Sequence, residues 1–332
     1  SECLVGSEMC IRDRFYTSHV SGKRLAPIST YVAVTGKCMY HCWHCSASKM
    51  MQEGQEDLDT HKIIQIVKSL QDLGVGIIGF TGGEPLIRKD LEKIVQAIDN
   101  RSMTLVFSNG YGLTLERAKA LKAAGLFGIA ISFDSTKAEL HDVKRGYKGA
   151  YEIALKAIRH AKVAGLYTMG QVVCTKEMLR TKEIHDIAKF LKQEGIHELR
   201  IVEPIPCGLL EEAKDEMLTE KEKRELIQLH ITFNEDPSYP KTSVFPYVES
   251  EDQYGCGAGV QHSYIDQVGD FRCCDFIYES YGNILEEPIG QIWERMHKAC
   301  GGPKCMCCAK HKCSNSQSEK IPKYYRLLGG KA

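Results

Sequence analysis

From Tyr31 to about Cys207 the chain alternates short, β-branched apolar runs with longer stretches of helical periodicity. The runs predict strands at 31–35, 76–81, 103–108, 127–133, 167–174 and 198–203. Between them lie predicted helices near 59–73, 89–99, 114–124, 149–164 and 181–194. In the first of these, Ile63, Ile66, Val67 and Leu70 fall on one face. Strand-helix units in series imply a parallel sheet with right-handed crossovers. Six such units fall short of the eight that close a full barrel, so the expected fold class is α/β, a partial (β/α)6 TIM-like barrel.

That rhythm then stops. Glu211 to Glu225 is dense in both charge signs and predicts a solvated helix leading out of the barrel. After Pro237 the residues Pro, Gly, Tyr and Cys become frequent. The expected division is a barrel over 15–236, a small cysteine-rich domain over 237–314 and a tail over 315–332. A module so small has little core of its own, and a bound metal would help to hold it together. Ser1 to Arg14 fit no element and resemble a translated sequencing adapter joined to a reading frame, so they are expected to carry no functional weight.

Composition narrows the picture. With 43 Lys+Arg against 43 Asp+Glu the charges balance, which gives no support for a nucleic-acid footprint or a polybasic membrane surface. The most apolar run, Leu121 to Phe133, is too short to span a membrane, and no signal-peptide core is visible. The expectation is a cytoplasmic protein with neither nucleic-acid nor membrane partners. Fifteen cysteines in such a chain argue for metal or redox use over a disulfide framework. Most fall in two groups, at 38–45 and at 256–313.

The first group is Cys38, Cys42 and Cys45 in Cys38-Met39-Tyr40-His41-Cys42-Trp43-His44-Cys45, just after the first predicted strand. Four-iron clusters are normally held by four cysteines, so a compact C-x3-C-x2-C without a near fourth suggests an iron completed by something other than protein. The second predicted strand runs into Thr81-Gly82-Gly83-Glu84-Pro85. Two glycines at a strand end let the backbone approach a ligand closely, and a following acid can meet a cationic group. Alone, this run is also a plain strand-to-helix turn with a helix-starting Pro.

Together, these motifs resemble the radical SAM superfamily, with the likeness running from Tyr31 to Cys313. His44 stands where Tyr, Phe or Trp is more usual in the family's cysteine motif. The resemblance implies a partial barrel and a 4Fe-4S cluster on Cys38, Cys42 and Cys45, whose open iron is chelated by S-adenosylmethionine (SAM). An electron from the cluster would cleave SAM to a 5'-deoxyadenosyl radical that takes a hydrogen from the substrate. It further implies SAM contacts from Gly82, Gly83, Glu84 and Pro85, and from the strand ends at Ser108, Asn109 and Asp134. Arg145, in an Arg-Gly-x-x-Gly-like stretch, would form a fork to the SAM carboxylate.

The second cysteine group resembles a SPASM or Twitch extension, with Cys256, Gly269 and Cys274 in the spacing C-x12-G-x4-C. The expected ligands of one auxiliary 4Fe-4S cluster are Cys256, Cys274, Cys305 and Cys308, with Cys313 competing. Tyr281 to Ile284 and Ile292-Trp293 would be structural. Two clusters, one with a non-cysteine ligand or an open iron, stay open, since a full set of eight ligands is hard to find. So does a structural zinc site, which the same spacing also describes.

The expected function is a radical SAM oxidoreductase or maturase acting on a peptide, protein or small biosynthetic intermediate. Its auxiliary cluster would accept the electron left by net oxidation, and a flavodoxin or ferredoxin would supply the first one. Cys174, at the fifth strand's end, and Cys207, beyond the sixth, are candidate thiols that could return a hydrogen atom at the barrel mouth. The alternatives are an iron-sulfur electron carrier or scaffold that cleaves no SAM, and a zinc-binding interaction module.

Overall fold

The computed structural model describes residues 26–51, 54–302, 304 and 307–311. The adapter-like segment, the C-terminal tail, Cys305 and Cys313 lie outside them. The six expected strands are present as β1 (Ser29–Thr35), β2 (Ile77–Gly82), β3 (Met103–Ser108), β4 (Gly128–Ser132), β5 (Tyr167–Val173) and β6 (Glu198–Val202). Each pairs in parallel with the next.

The sequence pattern missed how the sheet continues. β7 (Lys241–Val244) pairs in parallel with β6, and β8 (His262–Ile265) pairs in parallel with β1 at the other edge. Two antiparallel strands, β9 (Asp270–Arg272) and β10 (Ser280–Asn283), follow outside β8. The result is one open ten-stranded sheet in the order β10-β9-β8-β1-β2-β3-β4-β5-β6-β7. Strands beyond residue 237 therefore extend both edges of the barrel sheet. The charged stretch at 211–225 also differs from its expected form. Its helix runs over Glu220–Glu235, opens with a Thr219/Glu222 capping box and buries Leu226, Leu229 and Phe233.

Strand parity divides the interior. Val32, Ile78, Val106, Ile129, Val172 and Ile201 face outward into the main core beneath the helices. The Thr60–Leu73 helix closes that core with Ile63, Ile66, Val67 and Leu70, each stabilising by roughly 1.5–3 kcal/mol. Its start is fixed by Asp59 capping Lys62 N, and its end by Gly74 in the left-handed region. Ile292 and Trp293 are buried on the helix Ile289–Cys300, which packs against it. The opposite parity, Leu105, Ala130 and Met169 with Phe107 beside them, forms an apolar floor inside the barrel.

Side chains also fix the strand ends that carry the cysteine loop. Arg88 donates to Val34 O and Leu58 O, both at 2.8 Å, and is itself held by Asp90 at 2.6 Å. Thr35 and Gly36 N donate to the two carboxylate oxygens of Asp57 at 2.6 and 2.7 Å. Hydrogen bonds from Arg88 hold the Asp90 carboxyl down to about 2. A carboxylate depressed in the fold stabilises above its unfolded value of about 3.9 and loses that contribution as pH falls toward the folded value. Asp90→Asn is therefore expected to cost about 1–2 kcal/mol near neutral pH, after allowance for partial solvent screening. The difference from wild type should shrink as urea melts are repeated at lower pH.

Candidate functional site

The C-terminal ends of the strands open on a cavity of about 580 Å³. Cys38, Cys42 and Cys45 line it, together with Gly82, Gly83, Glu84, Ser108, Asn109 and Arg145. Cys256, Cys274 and Cys307 line the same cavity. Both cysteine groups thus face a single space.

The two glycines after β2 serve the cysteine loop first. Gly82 has φ +125°, and a Cβ on it would lie 2.2 Å from Thr35 O. A Cβ on Gly83 would lie 2.1 Å from Lys37 O and 3.1 Å from Cys38 N. Their bareness lets the end of β2 lie directly on the backbone that enters the cysteine loop, and Glu84 N donates to Lys37 O at 2.9 Å. The close approach expected toward a ligand is, in this structure, an approach to that loop.

Glu84 is buried and fully engaged. Its Oε1 accepts from Leu86 N at 2.9 Å and Ser108 Oγ at 2.7 Å, and its Oε2 accepts from Asn109 N at 2.7 Å. Burial pushes its pKa up to about 7 against the pull of these three donors. Glu84 and Ser108 therefore lock the ends of β2 and β3 together. Asn109 reaches further, its Nδ2 donating to Cys38 Sγ at 3.8 Å. Pro85 is buried at the start of a short 3-10 turn and does not line the cavity.

Arg145 and Asp134, both expected near SAM, pair with each other at 2.7 Å in full burial. Burial works to raise the Asp134 carboxyl, but the Arg145 guanidinium beside it holds it below the usual range. The other arm of Arg145 donates to Cys42 Sγ at 3.8 Å. The arginine fork is thus directed at a carboxylate of the protein and at a cysteine of the loop. His44 packs edge-on to Trp43, and burial lowers its pKa to about 4. A neutral ring therefore occupies the aromatic position.

The donor set fits iron. Three thiols border one opening, and N–H groups of Tyr40 (3.4 Å), Asn109 and Arg145 point at their sulfurs. Burial pushes the Cys38 thiol up to about 11, so a thiolate there needs a metal's positive charge.

In the second group, the free thiol of Cys256 lies beside those of Cys307 and Cys308. Cys307, absent from the expected ligands, is the one of this adjacent pair that lines the cavity. Spacing alone could not choose between two neighbouring cysteines. Ligand atoms of His262, Cys274 and Asp275 lie within 4.8 Å of one another, so non-thiolate donors also stand at this site. Cys273 and Cys300 are free thiols lying beside each other, and the Cys300 thiol donates to Tyr281 Oη at 3.7 Å.

The two candidate thiols part company. Cys207 lines the cavity, and the turn after it is held on the cysteine loop by Leu209 N donating to Cys45 O at 3.1 Å. Cys174 does not face the mouth. It is fully buried in the outer core, one parity step from the cavity-lining Gln171 and Val173. The alternation of β5, with a polar Gln171 inward, carried that signal. Cys174→Ala is expected to leave turnover unchanged and to cost about 1 kcal/mol in unfolding free energy through the small cavity it creates.

An open parallel sheet whose mouth gathers two sets of cysteines has the form of an iron-sulfur enzyme. Residues 32–191 match the model of the Radical SAM superfamily, and the chain carries a radical SAM domain followed by a cysteine-rich C-terminal region. It is 25% identical over 313 residues to the AdoMet-dependent heme synthase of Nitratidesulfovibrio vulgaris, covering 81% of this chain and 85% of that protein. It is 30% identical over 182 residues to the PqqA peptide cyclase of Rhizobium meliloti, covering 54% and 48%. Streptococcus suis SuiB, solved bound to precursor peptide SuiA, shares the fold with a TM-score of 0.69 at 15% identity, over 87% of this chain and 70% of that one. Residues 32–191 thus form a radical SAM domain, and the cofactors of that family are a 4Fe-4S cluster and SAM. Among the described residues no helix is long and apolar enough to cross a membrane.

Proposed function

We propose that this enzyme carries out a net oxidative modification of a peptide or a small biosynthetic intermediate at the 580 Å³ cavity, with Cys38, Cys42 and Cys45 holding the cluster that meets SAM. The observation that carries this reading is the shared cavity, a space of about 580 Å³ lined by both cysteine groups. When bound, the first cluster supplies the electron that cleaves SAM to a 5'-deoxyadenosyl radical, and an auxiliary cluster supplies a place for the electron that oxidation leaves over.

The chain's own residues do the rest. Arg145 and Asn109 steady two of the loop sulfurs with N–H donors. Glu84 and Ser108 fix the strand ends beneath SAM. The auxiliary ligands we favour are Cys256, Cys274, Cys305 and Cys308, with Cys313 competing and Cys307, which lines the cavity, now a further competitor. Cys207 keeps its proton, since burial pushes it up to about 12; a hydrogen atom passed from it to the substrate radical would give a redox-neutral product in place of the oxidised one and leave a thiyl radical on Cys207. The heme synthase and peptide cyclase relatives support both substrate classes. A flavodoxin or ferredoxin is the proposed reductant.

Anaerobic reconstitution tests this. Wild type should release 5'-deoxyadenosine when reduced with SAM, whereas a Cys38→Ala/Cys42→Ala/Cys45→Ala variant should bind about four fewer irons and release none. Iron-sulfur spectra without SAM cleavage in the wild type would make the chain an electron carrier or scaffold instead. Regeneration of SAM without net 5'-deoxyadenosine would exclude the oxidative reaction. Cys207→Ala should still cleave SAM and form the oxidised product, whereas loss of product would make Cys207 the hydrogen donor of a redox-neutral reaction.

A further inference from the structure

Arg200 is a cation inside the barrel that, among the described residues, no carboxylate answers. It lies on β6 at the inward parity, between the outward Leu199 and Ile201, and its residue lines the cavity while only 9% exposed. Among the described residues its guanidinium makes one hydrogen bond, from Nη2 to Tyr31 Oη at 3.4 Å, and no ion pair. Among the described residues the other buried arginines are both paired, Arg145 with Asp134 and Arg272 with Asp266, and the half-buried Arg88 pairs with Asp90. Glu198, two residues away on the same parity, gives its oxygens to Ser243 Oγ at 2.6 Å and Tyr167 Oη at 3.2 Å.

A guanidinium is always charged, and burying one without a counter-ion is costly. Here two aromatic faces offset part of the cost. The Phe107 ring centroid lies 4.8 Å from Arg200 Cζ, and that of Phe245 lies 5.0 Å away. Two rings this close restrict how the fork can turn, which favours two-point recognition of a planar carboxylate. The unpartnered Arg200 nitrogens are not among the sealed, unsatisfied atoms of the interior, unlike Arg145 Nε, so they remain open to the cavity.

Depth separates this group from SAM. Arg200 bonds to Tyr31, four residues down β1 from Thr35, where the cysteine loop begins; at about 3.3 Å per residue that is about 13 Å along the strand. Phe107 beside it belongs to the apolar floor. A carboxylate reaching Arg200 thus lies deep in the barrel, below the rim that bears Cys38 and Gly83.

We propose that Arg200, held against the rings of Phe107 and Phe245, binds a carboxylate of the substrate and sets how deep the substrate enters the barrel. This deepens the proposed radical SAM reaction and rests on it for the identity of the cavity. The carboxylate could be a porphyrin propionate or a peptide's acidic side chain, and the test separates the two.

Binding to reconstituted enzyme would be titrated with iron coproporphyrin III against its tetramethyl ester, and with acetyl-Ala-Glu-Ala-Tyr-amide against its Gln counterpart. At least one free acid should bind about tenfold tighter than its neutral partner, the scale of a charge-assisted hydrogen bond. The preference should vanish in Arg200→Gln and survive in part in Arg200→Lys. The pair that shows it names the source. Should Arg200→Gln not fold, phenylglyoxal labelling of the wild type serves instead, with Arg200 modified in the free enzyme and protected by the acid but not by its neutral partner. Absence of any preference in wild type, a preference that survives Arg200→Gln, or a tenfold loss of SAM affinity in that variant would each overturn the assignment. Wild type that releases 5'-deoxyadenosine yet prefers neither acid overturns only the role of Arg200 and leaves the radical SAM reading standing.

Discussion

Gly83→Ala is expected to leave the protein unable to hold its first cluster, although no ligand is changed. The added Cβ would sit 2.1 Å from Lys37 O and 2.5 Å from Lys37 C, and neither is the yielding end of a side chain. Relief requires β2 to move off the loop entrance, which breaks the bonds from Gly83 N to Thr35 O at 2.8 Å and from Glu84 N to Lys37 O at 2.9 Å. Overpacking of this kind costs about 3 kcal/mol or more, and here the shift falls one residue before Cys38. Iron per chain after reconstitution should drop by about four, and 5'-deoxyadenosine release should fall at least a hundredfold. Gly290→Ala is the control. Its new methyl would meet nothing closer than Leu73 Cδ1 at 3.8 Å, at a helical φ, so iron content should be unchanged and stability equal or slightly higher. A Gly83→Ala protein with full iron would show that the β2 end does not position the loop.

The second large effect concerns the Asp134–Arg145 pair. Arg145→Met removes a fully buried cation, strands the Asp134 carboxylate and takes an N–H donor from Cys42. Breaking one side of a buried pair costs about 3–5 kcal/mol, because the remaining charge stays desolvated. Adding Asp134→Asn should recover much of that loss, since the amide oxygen still accepts from Val173 N, 3.4 Å from Oδ1 in the wild type, without carrying charge. Stability measured by urea unfolding should therefore be strongly non-additive across the cycle. SAM cleavage should not return with stability, because the donor to Cys42 is still missing. Equal losses in the single and double variants would mean that the pair contributes little to the fold.

These two cases show where sequence and structure divide. The cysteine loop, the strand-helix alternation of β1 to β6 and the Gly82–Pro85 run were legible because each is a local pattern, set by periodicity or by ligand spacing on one short segment. The continuation of the sheet through β7 and β8 was not. Their four-residue runs, KTSV and HSYI, are too short to announce a strand, and only pairing with β6 and β1 makes them so. The helix at Glu220–Glu235 was misplaced for a related reason, since charge of both signs masked its buried Leu226, Leu229 and Phe233.

By itself, the sequence determined the chemistry available to this protein: three thiols with no near fourth, a second cysteine group, and an α/β frame to carry them. Tertiary structure decided which groups meet. It turned Arg145 toward Asp134 and Cys42, sealed Cys174 outside the barrel, brought Cys307 to the cavity wall and set Arg200 against two aromatic rings with no acid among the described residues. Residue types fix what a side chain can do, whereas its partner depends on strand parity and on contacts between segments far apart in the chain, which no local pattern encodes.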